Sequence, residues 1–144
     1  MSNEELKQHI TNASFDETGE WLNVLIDAPA WRQLALDLRR LEYDSMFCCT
    51  CVDWKTHFTM VYHLTSTVHR HTVVIKAKVD RAKPEIETVC DIWRTAEFLE
   101  REVYDLFGVR FLNHPDLRRL VLTEDFVGHP LRKDFEDPIN MIKL

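Results

Sequence analysis

Glycine is scarce, with three in 144 residues. Loops that cradle phosphates need closely spaced glycines, and neither G-x-G-x-x-G nor G-x-x-x-x-G-K-[ST] occurs, so the familiar nucleotide-binding loops are excluded. A basic excess is lacking too. Lys and Arg total 18 against 24 Asp and Glu, a formal net charge of −6, which has the wrong sign for neutralising nucleic-acid phosphates. No apolar run approaches the roughly 18 residues that a membrane helix needs. The first twelve residues, polar and slightly acidic, lack the basic-then-apolar order of a secretory leader. Cysteines number four, three of them crowded at Cys48, Cys49 and Cys51, in a chain large enough not to need disulfide staples, so a reducing, cytoplasmic setting is expected.

What is present is the balance of an ordinary globular domain: 45% hydrophobic and 29% charged residues, in a chain long enough for one core. Residues 1–20 read as an N-terminal extension with a short helix at Glu4–Ile10, capped by Ser2 or Asn3. Trp21–Ile26 reads as a strand. Pro29 suits a helix's first turn, and Ala30–Tyr43 follows with Trp31, Leu34, Leu38 and Leu41 at helical spacing. Met46–Trp54 is extended in composition. Phe58–Leu64 and Thr72–Val79 alternate as an antiparallel hairpin should. With Thr65 opposite Arg70, Phe58 faces Ala77, Met60 faces Ile75 and Tyr62 faces Val73 on one apolar face. Thr59–Lys76, Val61–Val74 and His63–Thr72 fill the other, mainly polar one.

Pro84 interrupts the chain, and Thr88–Trp93 leads into a helix over Thr95–Phe107, where Ala96, Leu99, Val103 and Phe107 share a face. Glu97–Arg101 and Arg101–Asp105 are candidate i, i+4 ion pairs, and Gly108 is placed to end the helix in a left-handed conformation. Beyond Phe111 no period persists. The expected fold is therefore α+β: an antiparallel or mixed sheet of about four strands with two main helices packed on it. This body, 1–111, is followed by a long irregular tail, 112–144. The tail carries Leu117, Leu120, Val121, Leu122, Phe126, Leu131 and Phe135, which need burial somewhere, and a partner's surface is the expected place, with Arg118, Arg119, Arg132 and Lys133 as its hydrogen-bonded anchors. Arg101 and Glu102 are expected to form structural ion pairs with the tail.

Few residue groups suggest chemistry. Cys48 and Cys51 form a C-x-x-C, but on a strand they point to opposite faces about 10 Å apart, too far to share one metal. They read as small buried hydrophobes. His69 and His71 share a strand face without a carboxylate or thiol to complete a ligand set. Glu100 and Glu102 lie about 200° apart around a helix and do not converge as an acid/base pair. No metal site and no catalytic residue is expected.

One stretch goes further. Glu100-Arg-Glu-Val-Tyr-Asp-Leu-Phe-Gly-Val109, Phe111-Leu-Asn-His-Pro-Asp-Leu-Arg-Arg119 and Gly128-His-Pro-Leu-Arg-Lys-Asp134 together resemble the signature of the C-subunit, the 30-kDa-type component, of respiratory complex I (NADH:quinone oxidoreductase). That pattern is roughly E-R-E-x-x-D-x-[FY]-G-[IV]-x-F-x-x-H-P-x-L-x-R, then G-[HYF]-P-x-[RL]-[KR]-D. The positions that carry it are Glu100, Arg101, Glu102, Asp105, Gly108, Phe111, His114, Pro115, Leu117, Arg119, Gly128, Pro130 and Asp134. The resemblance implies a component without cofactor in the peripheral arm, on the cytoplasmic side of the inner membrane if bacterial. Its partners would be the quinone-site D-subunit and the iron–sulfur B- and I-subunits, with FMN bound elsewhere in the complex. The same module serves membrane-bound hydrogenases, formate hydrogenlyases and ferredoxin-linked complexes, so the motif leaves the electron donor open. A small autonomous metal-binding module is the remaining alternative.

Overall fold

The computed structural model describes residues 1–137. Its element order is α1 (Asn3–His9), β1 (Ser14–Asp16), β2 (Leu22–Asp27), α2 (Trp31–Arg40), β3 (Ser45–Asp53), β4 (His57–Ser66), β5 (His71–Asp80), β6 (Glu85–Glu87), α3 (Ala96–Phe107) and β7 (Arg110–Leu112). The fold is α+β. Five strands form one mixed sheet in the order β1-β2-β5-β4-β3, and β6 and β7 form a separate parallel pair. β2 runs parallel to β5, and the other pairs of the large sheet are antiparallel.

Alternation gives the sheet its core face. Phe58, Met60, Tyr62 and Leu64 of β4 and Val73, Ile75, Ala77 and Val79 of β5 are all buried in one cluster. Trp31, Leu34 and Leu38 of α2, Val103 and Phe107 of α3, and Leu6 and Ile10 join the same cluster. Fully burying a side chain of this size is worth about 1.5–3 kcal/mol. The helices therefore cover one face of the sheet only.

The N-terminal extension is part of this body. Ser2 Oγ accepts from the Glu5 amide at 3.2 Å and caps α1, while Leu6 on its inner face has no exposure. His71 secures the helix to β5. Its Nε2 meets Asn3 Oδ1 at 2.6 Å, an atom that only accepts, so Nε2 carries the proton. Nδ1 is then the acceptor for the buried Tyr43 hydroxyl at 2.7 Å. The expectation of four strands missed β1, too short to show alternation, which adds itself to β2. Pro29 sits in a 3₁₀ turn, Ala28–Ala30, just ahead of α2.

The hairpin faces are as expected, but the register differs by two residues. Phe58 pairs with Val79, Met60 with Ala77, Tyr62 with Ile75 and Thr65 with Thr72, and Val61 lies opposite Lys76. A two-residue shift leaves every side chain on its face, so alternation could not detect it. The turn decides. Ser66 pairs with His71, and Ser66 Oγ accepts from the His69 amide at 3.0 Å. Asp44 accepts from the Thr67 amide at 3.0 Å, and Arg70 takes a left-handed φ of 52°.

Candidate functional site

The E-R-E-x-x-D run lies on α3, whose 3.6-residue period separates its charges. Glu100 falls with Val103 and Phe107 on the core side, and Arg101 and Asp105 face the tail; all are buried, and Glu102 is exposed. Asp105 is the hub. Its Oδ2 accepts three successive amides, Leu120 at 3.2 Å, Val121 at 2.7 Å and Leu122 at 2.8 Å. Its Oδ1 receives Arg119 Nη1 at 2.8 Å. Burial alone would raise this carboxyl's pKa, but the three amides and the guanidinium outweigh that and hold it below the usual carboxylate range. Arg119 then donates through Nη2 to the carbonyls of Phe126 at 3.0 Å and Gly128 at 2.9 Å. Arg101 donates to the carbonyls of Arg118 at 3.2 Å and Arg119 at 3.1 Å.

These contacts correct three expectations. The helical pairs Glu97–Arg101 and Arg101–Asp105 do not form, because Arg101 reaches carbonyls and Asp105 reaches Arg119. Glu102 makes no ion pair with the tail among the described residues. Arg119 and Arg132, expected to anchor a partner, are spent on this chain: Arg132 Nε donates to the Phe107 carbonyl at 2.6 Å.

Gly108 closes α3 at φ 77°, its amide donating to the Tyr104 carbonyl at 2.8 Å. A Cβ there would lie 2.7 Å from His129 Cδ2, so glycine is required by both its backbone and its neighbour. His129 Nδ1 meets the Asp105 carbonyl at 3.0 Å. Further along, the Lys133 amide donates to Asp53 Oδ2 at 2.9 Å, and Arg81 bridges Asp53 and Asp134, each at 3.0 Å. Burial would raise Asp53, but Arg81 and the Lys133 and Lys55 amides together hold its pKa at about 2. Arg81 and Arg132 both lie over the Phe58 ring. The tail through residue 137 thus folds back over its own domain; the rest of the expected tail, 138–144, lies outside the described residues. Leu117, Leu122, Phe126 and Phe135 are half-buried in this fold-back, but Val121 and Val127 are 65% and 88% exposed and Leu120 and Leu131 are also exposed, so part of the tail's apolar content stays in the open.

On the core side, Glu100 accepts from the Thr88 hydroxyl at 2.5 Å and the Val89 amide at 3.2 Å. Desolvation dominates over both bonds and pushes its pKa up to about 8. Ligand atoms of Cys90, Glu100 and His114 lie within 4.8 Å of one another, a grouping invisible to sequence spacing. The donor set does not suit a metal. His114 Nε2 faces the Glu97 carbonyl at 3.0 Å and so carries the proton, Nδ1 accepts from the Asp116 amide at 3.0 Å, and both Glu100 oxygens already accept. Cys49 and Cys51 are buried and face the core, and burial drives both thiols well up, Cys51 to about 12. His69 and His71 are separately engaged, by Glu42 and by Tyr43 with Asn3.

Of the positions read from the motif, Glu100, Arg101, Asp105, Gly108, Arg119, Gly128 and Asp134 each hold a contact that fixes α3, the tail or their join. Phe111 is buried in β7, His114 braces α3, and Leu117 packs against the core. Pro115 is exposed and Pro130 half-buried. Sequence reasoning missed Asp53, Arg81, Thr88 and His129. Of these, only His129 left a usable signal, as the aromatic position of the Gly128-His-Pro run.

The fold and site define a class: an α+β domain whose last long helix holds an irregular strap by side-chain-to-backbone hydrogen bonds. The chain belongs to the family described as respiratory-chain NADH dehydrogenase, 30 Kd subunit, which matches residues 24–139. It is 47% identical over 98 residues to the NADH-quinone oxidoreductase C-subunit of Geotalea uraniireducens, covering 66% of this chain and 60% of that one. It is 43% identical over 122 residues to the NADH-quinone oxidoreductase C/D-subunit of Phocaeicola vulgatus, covering 83% of this chain and 24% of that one. The chain thus spans less than two thirds of the length of these relatives. Among solved structures, a trypsin-resistant fragment of Nqo5 superposes with a TM-score of 0.71 at 28% identity, covering 79% of this chain and 95% of that one. A chain of the membrane-bound sulfane sulfur reductase, an archaeal respiratory membrane complex, superposes with a TM-score of 0.81 at 29% identity, covering 92% and 84%. Among the described residues no helix is long and apolar enough to cross a membrane.

Proposed function

We propose that this chain is a non-catalytic peripheral-arm component of an NADH:quinone oxidoreductase. It binds no cofactor itself and supports electron transfer from NADH, through FMN and iron–sulfur clusters on other subunits, to quinone, coupled to ion translocation. One observation carries this reading. The Asp105–Arg119–Arg101 network fixes the strap's backbone while leaving Leu120, Val121, Val127 and Leu131 outward, and ordered apolar surface of that kind marks a protein interface. Glu100, Arg101 and Asp105, buried charges that could have served chemistry, are already bonded within the chain. The C/D name of a 43% identical relative favours the quinone-site D-subunit as the first neighbour, with the iron–sulfur B- and I-subunits beyond it. Attachment on the cytoplasmic side of the membrane would then come through the complex.

A second reading is the equivalent component of a related membrane complex with another electron donor, such as a hydrogenase, a formate hydrogenlyase or a ferredoxin-linked enzyme. The 0.81 TM-score to the sulfane sulfur reductase chain favours it. Purification of the tagged chain from native membranes tests both. We expect flavin, iron–sulfur clusters and NADH:quinone activity to co-purify, and Val121→Asp with Val127→Asp to abolish that association. Co-purification of nickel with hydrogenase activity would shift the assignment to the second reading. A chain that leaves the membrane alone would overturn both.

A further inference from the structure

The helices cover one face of the five-stranded sheet, and the other face is open. Three rows of side chains cross it: Asn23–Val74–His63, Leu25–Lys76–Val61–Thr50, and Asp27–Lys78–Thr59–Val52. Trp21 and Phe47 stand edge-on to the His63 ring at 5.6 and 5.5 Å at one end. Trp54, 56% exposed, stands at the other. An open sheet face is ordinarily polar. This one forms a shallow trough in which Leu25 and Trp54 are exposed although large and apolar, and Phe47, beside His63 at its end, is exposed as well.

Lys76 occupies the centre of the middle row, between Leu25 and Val61. It forms no ion pair among the described residues. Asp27 lies opposite Lys78, and Asp16 on the edge strand accepts from the Thr18 amide and hydroxyl and meets Lys76 only through a weaker charge effect. His63, next to it, is held below the usual histidine range by burial and by Lys76.

We infer that this trough is a docking surface for an amphipathic α-helix of a partner protein, its apolar stripe on Leu25 and the terminal aromatics and a carboxylate on Lys76. Three observations select this occupant. From His63 to His57 the trough runs six residues of β4, about 20 Å at ~3.3 Å per residue, which is the length of a helix of about 13 residues. The opposite face of the same sheet is already covered by helices, the usual way for such a sheet to bury apolar surface. Lys76, flanked by Leu25 and Val61 and without an ion pair among the described residues, offers its charge to a carboxylate of the partner. The surface is separate from the Asp105-held strap, so its test is independent of the assembly proposed above.

The test is a titration of the full chain, followed by amide and indole NMR shifts, with two synthetic 14-residue helical peptides. Both carry Leu at i, i+3, i+4 and i+7; one is flanked by Glu and the other by Lys. We expect the Glu peptide to shift β2, β4, β5 and the Trp21 and Trp54 indoles saturably. Lys76→Glu should weaken it at least tenfold and favour the Lys peptide, and Lys76→Gln should weaken it without reversing the preference. Unchanged thermal melting of both variants shows that the fold is intact. No saturable shift, equal response to both peptides, or shifts confined to α2 and α3 would overturn the proposal. Concentration-dependent shifts of the same residues without peptide would overturn it in favour of self-association.

Discussion

The Asp105 carboxylate accepts the Leu122 amide at 2.8 Å, seventeen positions further along the chain, and the two amides before Leu122 converge on the same oxygen. Three consecutive N–H groups aimed at one buried carboxylate cannot be replaced by water without a large movement of the strap. The strap's order therefore depends on the charge of one residue of α3.

Asp105→Asn should release this segment. The variant keeps the shape but removes the charge that Arg119 and three amides share, and breaking such a buried set costs about 3 kcal/mol. We expect amide exchange at Leu120, Val121 and Leu122 to rise about a hundredfold with little change in β4 and β5. Unchanged exchange at those three amides would remove Asp105 from its role.

Glu100 gives a pH signature of the opposite sign to the buried aspartates. Its pKa is raised from 4.5 to about 8 in the fold, so the native state holds a proton that the unfolded chain releases. The stabilisation is complete below about pH 4.5 and is lost as pH rises through about 8. Glu100→Gln stays neutral throughout. The stability of the native protein relative to this variant should therefore fall by about 3 kcal/mol between pH 5 and 8 in denaturant titrations. A pH-independent difference would show that Glu100 is ionised in the fold.

Gly108→Ala should lower stability by about 1–3 kcal/mol, combining the left-handed backbone cost with displacement of His129. Gly19→Ala is the control, since nothing lies within 4 Å of the Cβ it would add; it should stay within about 0.5 kcal/mol. Equal thermal melting of the two variants would show that the cap is not strained.

The features legible in the sequence are those set by local period. The α3 stripe and its Gly108 end follow from 3.6-residue spacing, and the two faces of the β4–β5 hairpin follow from alternation. The hairpin's register was not legible, because a shift of two residues preserves every face and the turn's side-chain bonds choose between registers. The N-terminal segment was harder still. α1 shows only Leu6 and Ile10 as apolar contacts, and its place depends on Asn3 meeting His71, a pairing of no local origin. At the site, the motif residues were found by resemblance, whereas their partners were not. Asp53, Arg81 and Thr88 meet the tail and α3 through contacts between distant segments, which single-sequence spacing does not encode.

The parallel pairing of β2 with β5 bears on how the chain acquires this shape. β3, β4 and β5 form a meander whose turns are short, so its pairings close small loops. Leu22 pairs with Val73, a closure of about fifty residues whose entropy must be lost before any contact rewards it. The meander is therefore the natural nucleus, and the amino-terminal arm of α1, β1 and β2 is the late addition. On the ribosome the order of synthesis is reversed. β2, the second strand made, has only the three-residue β1 to pair with until β5 has emerged, and over that interval its apolar residues Leu22, Val24 and Ile26 are the part of the nascent chain most in need of protection.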